Sequence, residues 1–208
     1  MENKRIQICI GRQFGAGGRI ISKMLTERFG CQYFDKEILK VAAEESGFSP
    51  SFFKENDEKK SFFHTLFHNH APMLSDSSFY SNDFSDESLF KFQCDAIRKE
   101  AEKGNCLFIG RCADYVLRDD PDMVSVFITA NIEDRVKLVR ERLQVDEETA
   151  RKIINKKESS RASYYNFYTG KKWGYADSYN LCLNSSLFGM EGTAELIAEF
   201  IEKRLQSR

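Results

Sequence analysis

The chain has 208 residues, of which 41% are hydrophobic and 30% charged, and its 31 basic and 32 acidic residues leave a formal net charge of −1. This length and apolar content suit one folded domain with a sizeable core and exclude wholesale disorder. The near-zero net charge excludes a domain that binds nucleic acid through bulk positive charge, although it is compatible with a local basic site.

Short apolar runs alternate with helical patterns along the chain. Strands are predicted, in chain order, at 7–10, 32–34, 105–109, 124–129 and 180–184. Helical spacing predicts helices at 19–29, 36–46, 88–103, 131–143, 146–168 and 190–208. This alternation indicates an α/β fold with a parallel sheet that helices cover on both faces.

Two segments differ in composition from this pattern. The segment from about 47 to 87 is rich in Phe, contains two of the three prolines and is net acidic over most of its length. It is interpreted as an inserted cap of helices and loops, because a solvated linker would carry few aromatic residues. The segment from about 146 to 175 is basic and is interpreted as a lid. The rest, 1–46, 88–145 and 176–208, is the predicted core of a single domain.

Neither a membrane segment nor a metal site is predicted. No apolar run approaches the roughly 20 residues that a membrane helix needs, and the first residues are polar without an apolar leader behind them. The six cysteines are scattered without a C-x-x-C pair, which favours a reduced, cytoplasmic protein. His64, His68 and His70 share helical spacing, but no cysteine or carboxylate close in sequence completes a zinc site, so a surface or packing role is favoured.

The strongest motif is a glycine-rich stretch between the first predicted strand and the first predicted helix, which reads GRQFGAGGR from Gly11 to Arg19. Glycines let the backbone turn with positive φ so that amides converge on an anion, and the following helix adds its positive N-terminal end. The expected ligand is a nucleotide triphosphate, and the alternative is a plain turn. The residues expected to hold it are Arg12, Gly15, Ala16, Gly17, Gly18, Arg19 and Ile20.

This stretch departs from the phosphate-loop pattern G-x-x-x-x-G-K-[ST] at its functional end. Gly18 stands at the lysine position and Arg19 at the hydroxyl position. Arg19 is the expected substitute for the lysine, because a guanidinium can form two parallel bonds with phosphate oxygens. Ser22 is a weaker substitute for the hydroxyl. Either Arg19 compensates for the missing lysine, or the enzyme is slow or inactive.

Charged residues also follow two further predicted strands. Asp35 and Arg111 come directly after strand ends, where ligands bind in open α/β sheets. Arg111 is expected to hold an acceptor phosphate with Asp114 near it, and Asp35 to hold an acceptor sugar or a water on magnesium. The alternative for Arg111 is a surface arginine, and the alternative for Asp35 is a plain helix N-cap.

The basic segment supplies the remaining candidates for catalysis. Arg151, Lys157 and Arg161 are spaced to line one broad face of a helix or helical pair. Such a lid would close over the triphosphate and neutralise the charge that develops during phosphoryl transfer. A solvated helix face is the alternative interpretation.

Several stretches together resemble the cytidylate kinase-like family, a divergent branch of the nucleoside monophosphate kinases in the P-loop kinase superfamily. They are GRQFGAGGRIIS (11–22), YFDKEIL (33–39), FIGRCADYVL (108–117) and SRASYYNFYTGKKWGYADSYNLCLNSSLFG (160–189). The resemblance implies a three-layer P-loop fold with a five-stranded parallel sheet, a helical acceptor-binding insert and a mobile lid. It also implies transfer of the ATP γ-phosphate to a nucleoside monophosphate, with CMP the named substrate. A Gly-Arg-Asp stretch contacts that nucleotide in cytidylate kinases, and Arg111 matches its arginine.

Three functional hypotheses follow. The leading one is a kinase that depends on ATP and Mg²⁺ and acts on CMP or another nucleoside monophosphate. The second keeps the kinase but changes the acceptor to another small metabolite, because the insert is Phe-rich and net acidic. The third is a non-catalytic nucleotide-binding regulatory module, because the loop lacks its lysine and hydroxyl. All three hypotheses imply a small-molecule partner and neither nucleic acid nor a membrane. The sequence indicates no oligomeric state.

Overall fold

The computed structural model describes residues 5–35, Ile38 and residues 86–207. Apart from Ile38, the predicted helix at 36–46 lies outside the described residues, as do most of the predicted insert and the three histidines. The chain divides into two compact units, one made of residues 1–35 and 98–208 and the other of residues 36–97. The sheet and the charged site described below belong to the first unit.

The predicted strands form one parallel sheet in the order β2-β3-β1-β4-β5. The strands are β1 (Gln7–Arg12), β2 (Gln32–Phe34), β3 (Cys106–Ile109), β4 (Met123–Thr129) and β5 (Leu181–Asn184). This confirms the predicted α/β fold with a five-stranded parallel sheet. Because β1 runs two residues further than predicted, Arg12 is its last residue. The order also puts the carboxyl ends of β2, β3 and β1 side by side.

The helices connect and cover the strands. They are α1 (Gly18–Phe29), α2 (Asp86–Lys103), α3 (Ala113–Val116), α4 (Ile132–Leu143), α5 (Glu147–Thr169) and α6 (Ser185–Gln206), with a 3₁₀ turn at Ala176–Ser178. The last helix begins five residues before its predicted start, because a first turn precedes Gly189, whose φ of 69° interrupts the helical backbone. α3 was not predicted, since four residues are too few to show a helical period.

The main core packs α1 and α6 against the sheet. Ile8 and Ile10 of β1 meet Leu25 of α1 and Ile197 and Ile201 of α6, and each of these five side chains is at most 1% exposed. Burying a side chain of this size stabilises the fold by about 1.5–3 kcal/mol. None of the six cysteines, which all lie within the described residues, forms a disulfide, and five of them are buried. Within residues 5–35 and 86–207, the helices are too short or too polar to cross a membrane.

Candidate active site

The glycine-rich stretch forms a loop that connects β1 to α1. Gly15 and Gly17 have φ values of 88° and 73°, in the left-handed region that favours glycine. Gly15 also approaches the backbone of α4, because a Cβ there would lie 2.9 Å from the Arg135 carbonyl oxygen. The base of the loop is held by the Gln13 amide, which donates to the Ile128 carbonyl at 2.9 Å. Both glycines are therefore required by the local geometry.

The N-terminus of α1 has the form of an anion site. Among the described residues, no side chain caps this terminus. Gly18 and Arg19 belong to the first turn, whose amides have no intrahelical acceptor, whereas the Ile20 amide donates to the Gly17 carbonyl at 2.8 Å. Ala16 is buried between the two left-handed glycines. The loop and the positive end of the helix dipole can therefore bind phosphate oxygens through backbone donors.

Arginine side chains from three elements gather beside this loop around one buried carboxylate. Arg19 donates to Asp35 through Nε at 2.8 Å, and its Nη2 lies 2.7 Å from the same oxygen. Arg12 Nη2 lies 3.6 Å from the other oxygen of Asp35. Arg161 reaches across from α5, and its Nη1 donates to the Arg12 carbonyl at 3.0 Å. We call Arg12, Arg19 and Arg161 the arginine cluster.

The arginine cluster carries more positive charge than the nearby carboxylates balance. Burial, followed by the nearby Arg161, lowers the pKa of Arg12 to about 9, although Asp35 opposes the shift. Burial also lowers the pKa of Arg161 to about 10, against the opposing effects of Asp35 and Glu158. A guanidinium is stabilised in its charged form by a nearby anion. The cluster therefore favours a multiply charged anion such as a phosphate group.

A left-handed turn places Arg111 at the carboxyl end of β3. Gly110, Arg111 and Cys112 have consecutive φ values of 68°, 59° and 55°. A residue with a side chain in this conformation costs about 1–3 kcal/mol, and such strain concentrates at functional sites. The sequence contains only one glycine in this turn, so it does not reveal the conformation. Since β3 pairs with β1, Arg111 follows the strand next to the one that carries Arg12.

Asp114 lies in a buried contact between α3 and α5. Its carboxylate accepts a hydrogen bond from the Tyr165 hydroxyl at 2.6 Å. Burial raises the pKa of Asp114, and the hydrogen bond from Tyr165 only partly offsets the effect. Burial and the negative charge of Asp114 also raise the pKa of the Tyr165 hydroxyl. The structure therefore gives Asp114 a role in joining two helices, and Tyr165 is a partner that sequence reasoning missed.

The substitution Asp114→Asn is expected to stabilise the protein at neutral pH, because asparagine accepts the Tyr165 hydrogen bond without a buried charge. Since the folded-state pKa of Asp114 is raised, the wild type is most stable when this group is protonated and loses that stability as pH rises through the raised pKa. The melting temperature of Asp114→Asn should exceed that of the wild type at pH 7 by about 2–4 °C per kcal/mol, and the gap should close toward pH 4.

Asp114→Ala is the matched comparison, because it removes the acceptor and leaves the buried Tyr165 hydroxyl without its carboxylate partner. This loss should cost about 1–3 kcal/mol. A melting temperature of Asp114→Asn that stays below that of the wild type from pH 4 to pH 8 would contradict the account of Asp114 as a costly buried charge.

The other two predicted lid residues have different surroundings. Arg151 forms exposed ion pairs with Glu133 at 2.7 Å and Glu147 at 2.9 Å. Lys157 is exposed on the same helix. Within the described part of the chain, neither side chain contacts the arginine cluster. Ser22, the expected substitute hydroxyl, is fully buried, and its Oγ has no hydrogen-bond partner there.

Phe14 and Glu158 connect the glycine loop to α5, and sequence reasoning missed both. The Phe14 amide donates to Glu158 Oε1 at 3.2 Å, and the same oxygen pairs with buried Arg135 at 2.5 Å. The Phe14 ring packs against the apolar cluster between α4 and α5 and lies 4.9 Å from the Arg142 guanidinium and 5.3 Å from that of Arg161. The loop and α5 therefore form one connected structure.

A cavity of about 290 Å³ lies between the glycine loop, α4 and the start of α6. The sequence did not reveal it, because its walls come from distant parts of the chain. Ser185 fixes this geometry by donating to the Ala16 carbonyl at 3.1 Å and by lying 3.0 Å from the Thr129 carbonyl oxygen. The cavity is lined by Gly15, Ala130, Asp134, Lys137, Leu138, Glu141, Ser185, Ser186, Gly189 and Met190.

The sequence profile of the cytidylate kinase-like family matches residues 7–187. The chain therefore belongs to the cytidylate kinase-like family, as its motifs predicted. No curated protein matches it.

Solved structures share the fold. An uncharacterized protein from Eubacterium ventriosum ATCC 27560 is 29% identical over 95% of this chain and 99% of its own, with a TM-score of 0.72. Shikimate kinase from Bacteroides thetaiotaomicron is 13% identical, with coverages of 96% and 99% and a TM-score of 0.54. Shikimate kinase from Acinetobacter baumannii in complex with shikimate is 12% identical, with coverages of 97% and 95% and a TM-score of 0.51.

These findings define the class of protein. The chain has the fold of P-loop kinases, and its family is kinase-like. Family and fold together support nucleotide-dependent phosphoryl transfer as the general reaction and leave the acceptor unspecified.

Proposed function

We propose that the protein transfers the γ-phosphate of ATP to a small acceptor, most directly CMP or another nucleoside monophosphate. The observation that carries this proposal is the arginine cluster beside the glycine loop, in which Arg12 and Arg19 share the Asp35 carboxylate and Arg161 contacts the Arg12 backbone. Phosphoryl transfer depends mainly on positioning and on electrostatic stabilisation of the transferred group. Arg111, held by a strained turn on the strand next to β1, supplies a further cation for an acceptor that carries its own phosphate.

The donor nucleotide is proposed to bind along the loop and the start of α1. The cavity beside Gly15 has the size and the mixed lining that suit a nucleobase, and it adjoins the loop directly. The triphosphate would then extend from this cavity across the N-terminus of α1 toward the arginine cluster. The proposed phosphate ligands are Arg12, Gly15, Ala16, Gly17, Gly18 and Arg19, whereas the amide of Ile20, which was also expected to bind phosphate, already donates to the Gly17 carbonyl.

The acceptor and lid residues are proposed to act at the other side of the transferred group. Asp35 and Arg111 would hold the acceptor, with Asp114 fixing the helix that follows the Arg111 turn. Arg161 would neutralise the developing charge, since it already contacts the backbone of the last residue of β1. Two further cations of α5 would add to this charge after rearrangement. These are Arg151, which would leave its ion pairs, and Lys157.

Mg²⁺ fits this site as an ion held chiefly by the triphosphate. Such ions usually keep several waters and bind through one or two carboxylates together with substrate phosphates. Asp35 supplies a carboxylate at the edge of the sheet, but its oxygens also serve Arg19 and Arg12. Within the described residues, no group of three or more acidic, His or Cys side chains is close enough to hold a metal ion. When bound, Mg²⁺ would neutralise charge on the phosphates.

ATP with Mg²⁺ is expected to raise the melting temperature. A ligand at 100 times its dissociation constant stabilises the folded state by about 2.7 kcal/mol. For a chain of this length that corresponds to about 5–11 °C. Thermal-shift titration checks this, with inorganic phosphate as the comparison. An unchanged melting temperature at millimolar ATP would contradict nucleotide binding.

The acceptor is tested by coupled detection of ADP with a panel of nucleoside monophosphates. CMP should give turnover well above the rate with ATP alone, and cytidine, which lacks the acceptor phosphate, is the matched control. Turnover with cytidine equal to that with CMP would contradict the proposed role of Arg111. No turnover with any monophosphate, in folded protein that binds ATP, would overturn the substrate proposal.

A non-catalytic nucleotide-binding module is the second candidate. It is favoured by the glycine at the lysine position and by the ion pair that holds Arg19 against Asp35. This candidate predicts a thermal shift with ATP but no ADP with any acceptor. The two readouts together separate it from the kinase.

A further inference from the structure

Positions 12 and 18 carry the reverse of the residue types that the phosphate-loop pattern requires. In G-x-x-x-x-G-K, glycine stands first and lysine seventh. With Gly17 as the second glycine, position 12 holds arginine and position 18 holds glycine. The loop therefore keeps one long cation and one small residue, but at exchanged positions.

The packing of Arg12 explains why position 18 is glycine. Gly18 does not have a positive φ, so its backbone conformation does not require glycine. A Cβ at position 18 would instead lie 2.8 Å from Arg12 Cγ and 2.9 Å from Arg12 Cβ. These atoms are next to the backbone of Arg12 and cannot swing aside as the end of a flexible side chain can. The stem of Arg12 thus takes the space that a side chain at position 18 would need.

The guanidinium of Arg12 lies at the edge of the sheet where ligands of α/β proteins bind. A Cβ at Gly110, directly after β3, would clash with Arg12 Nη1. Arg12 Nη2 lies 3.6 Å from Asp35, directly after β2. The Arg12 side chain is 15% exposed, whereas that of Arg19 is 57% exposed and donates to Asp35. Arg12 therefore stands between the glycine loop and the ends of the two neighbouring strands.

We infer that Arg12, and not Arg19, supplies the charge that the loop lysine supplies in the standard pattern, and that Gly18 is glycine because the Arg12 stem occupies its side-chain space. The inference rests on the proposed function and names the cation that contacts the transferred phosphate. The lowered pKa of Arg12 agrees with the inference. A bound anion most strongly stabilises the charged form of a guanidinium that is buried beside another guanidinium.

Substitutions at the two positions test the exchange through kcat, ATP affinity and melting temperature. Arg12→Ala should lower kcat by about 10²–10³, the typical cost of losing a preorganised donor. It should weaken ATP binding by about 10- to 100-fold, as expected for a lost charge-assisted hydrogen bond. The effect on kcat should exceed that of Arg19→Ala. Arg28→Ala, on the exposed side of α1, is the control and should leave kcat unchanged.

Gly18→Lys tests the steric half of the inference. Alone it should lower both melting temperature and kcat, because its Cβ meets the Arg12 stem. The double variant Arg12→Gly/Gly18→Lys restores the standard pattern and should recover both quantities relative to Gly18→Lys. Because melting temperatures report this coupling without activity, the test holds even where a single variant is poorly folded.

Any one of three results would overturn the inference. These are a kcat of folded Arg12→Ala within about threefold of the wild type, a larger loss for Arg19→Ala than for Arg12→Ala, or a double variant no more stable than Gly18→Lys. If the wild type transfers no phosphate to any acceptor, the proposed function fails. ATP affinity then decides the inference, because Arg12→Ala must still weaken binding and the double variant must restore it.

Discussion

Replacing Arg161 by alanine is expected to lower kcat by about 10²–10³. Arg161 donates to the Arg12 carbonyl at 3.0 Å, so it steadies the end of β1 as well as adding charge beside the glycine loop. Both functions matter most when negative charge develops on the transferred group. Steady-state kinetics with saturating ATP and the best acceptor measures the loss.

Other residues of α5 provide the controls for Arg161. Lys156→Ala removes an exposed cation from the same helix and should leave kcat unchanged. Arg151→Ala should cost less than Arg161→Ala, because Glu133 and Glu147 already neutralise the Arg151 guanidinium. If Arg151→Ala costs more than Arg161→Ala, the assignment of charge stabilisation to Arg161 is wrong.

The substitution Gly15→Ala is expected to abolish high-affinity ATP binding and to destabilise the fold. Gly15 has a φ of 88°, which costs a residue with a side chain about 1–3 kcal/mol. The new methyl group would also lie 2.9 Å from the backbone oxygen of Arg135, which no side-chain rotation relieves. The loop must shift, and its amides then no longer converge on the phosphates. Thermal melting and ATP titration measure the two effects.

Gly30→Ala is the matched control. Gly30 also has a positive φ, 58°, but a Cβ there would meet nothing within 4 Å. It should therefore lower the melting temperature through backbone strain alone and leave the dissociation constant for ATP unchanged. Equal losses of ATP affinity in Gly15→Ala and Gly30→Ala would show that general destabilisation, and not loop geometry, controls binding.

Local patterns along the chain were sufficient to predict the sheet and the position of the loop. A buried strand, a run of glycines and an amphipathic helix in succession have few structural alternatives. The predicted strands accordingly match β1 to β5 to within two residues at either end. The end of β1 at Arg12 was missed, because glycine and arginine are poor indicators of a strand.

The connections that organise the site could not be predicted, because they join residues far apart in sequence. Phe14 and Glu158 are separated by 144 positions, and Asp114 and Tyr165 by 51. The relation between Arg12 and Gly18 was missed for another reason. The phosphate-loop pattern assigns no charge to its first position, and it therefore indicates Arg19, the cation nearest the missing lysine. The packing of the Arg12 stem against Gly18 shows that the two positions are physically linked.

Phosphoryl transfer to CMP is tested by following the γ-phosphate itself. ATP labelled in that position is incubated with Mg²⁺, the purified protein and CMP, and the products are separated. We expect the label to move to CDP in amounts equal to the ADP formed, and Arg12→Ala to slow this transfer. Label that stays in ATP, or that appears only as inorganic phosphate, would contradict phosphoryl transfer to CMP.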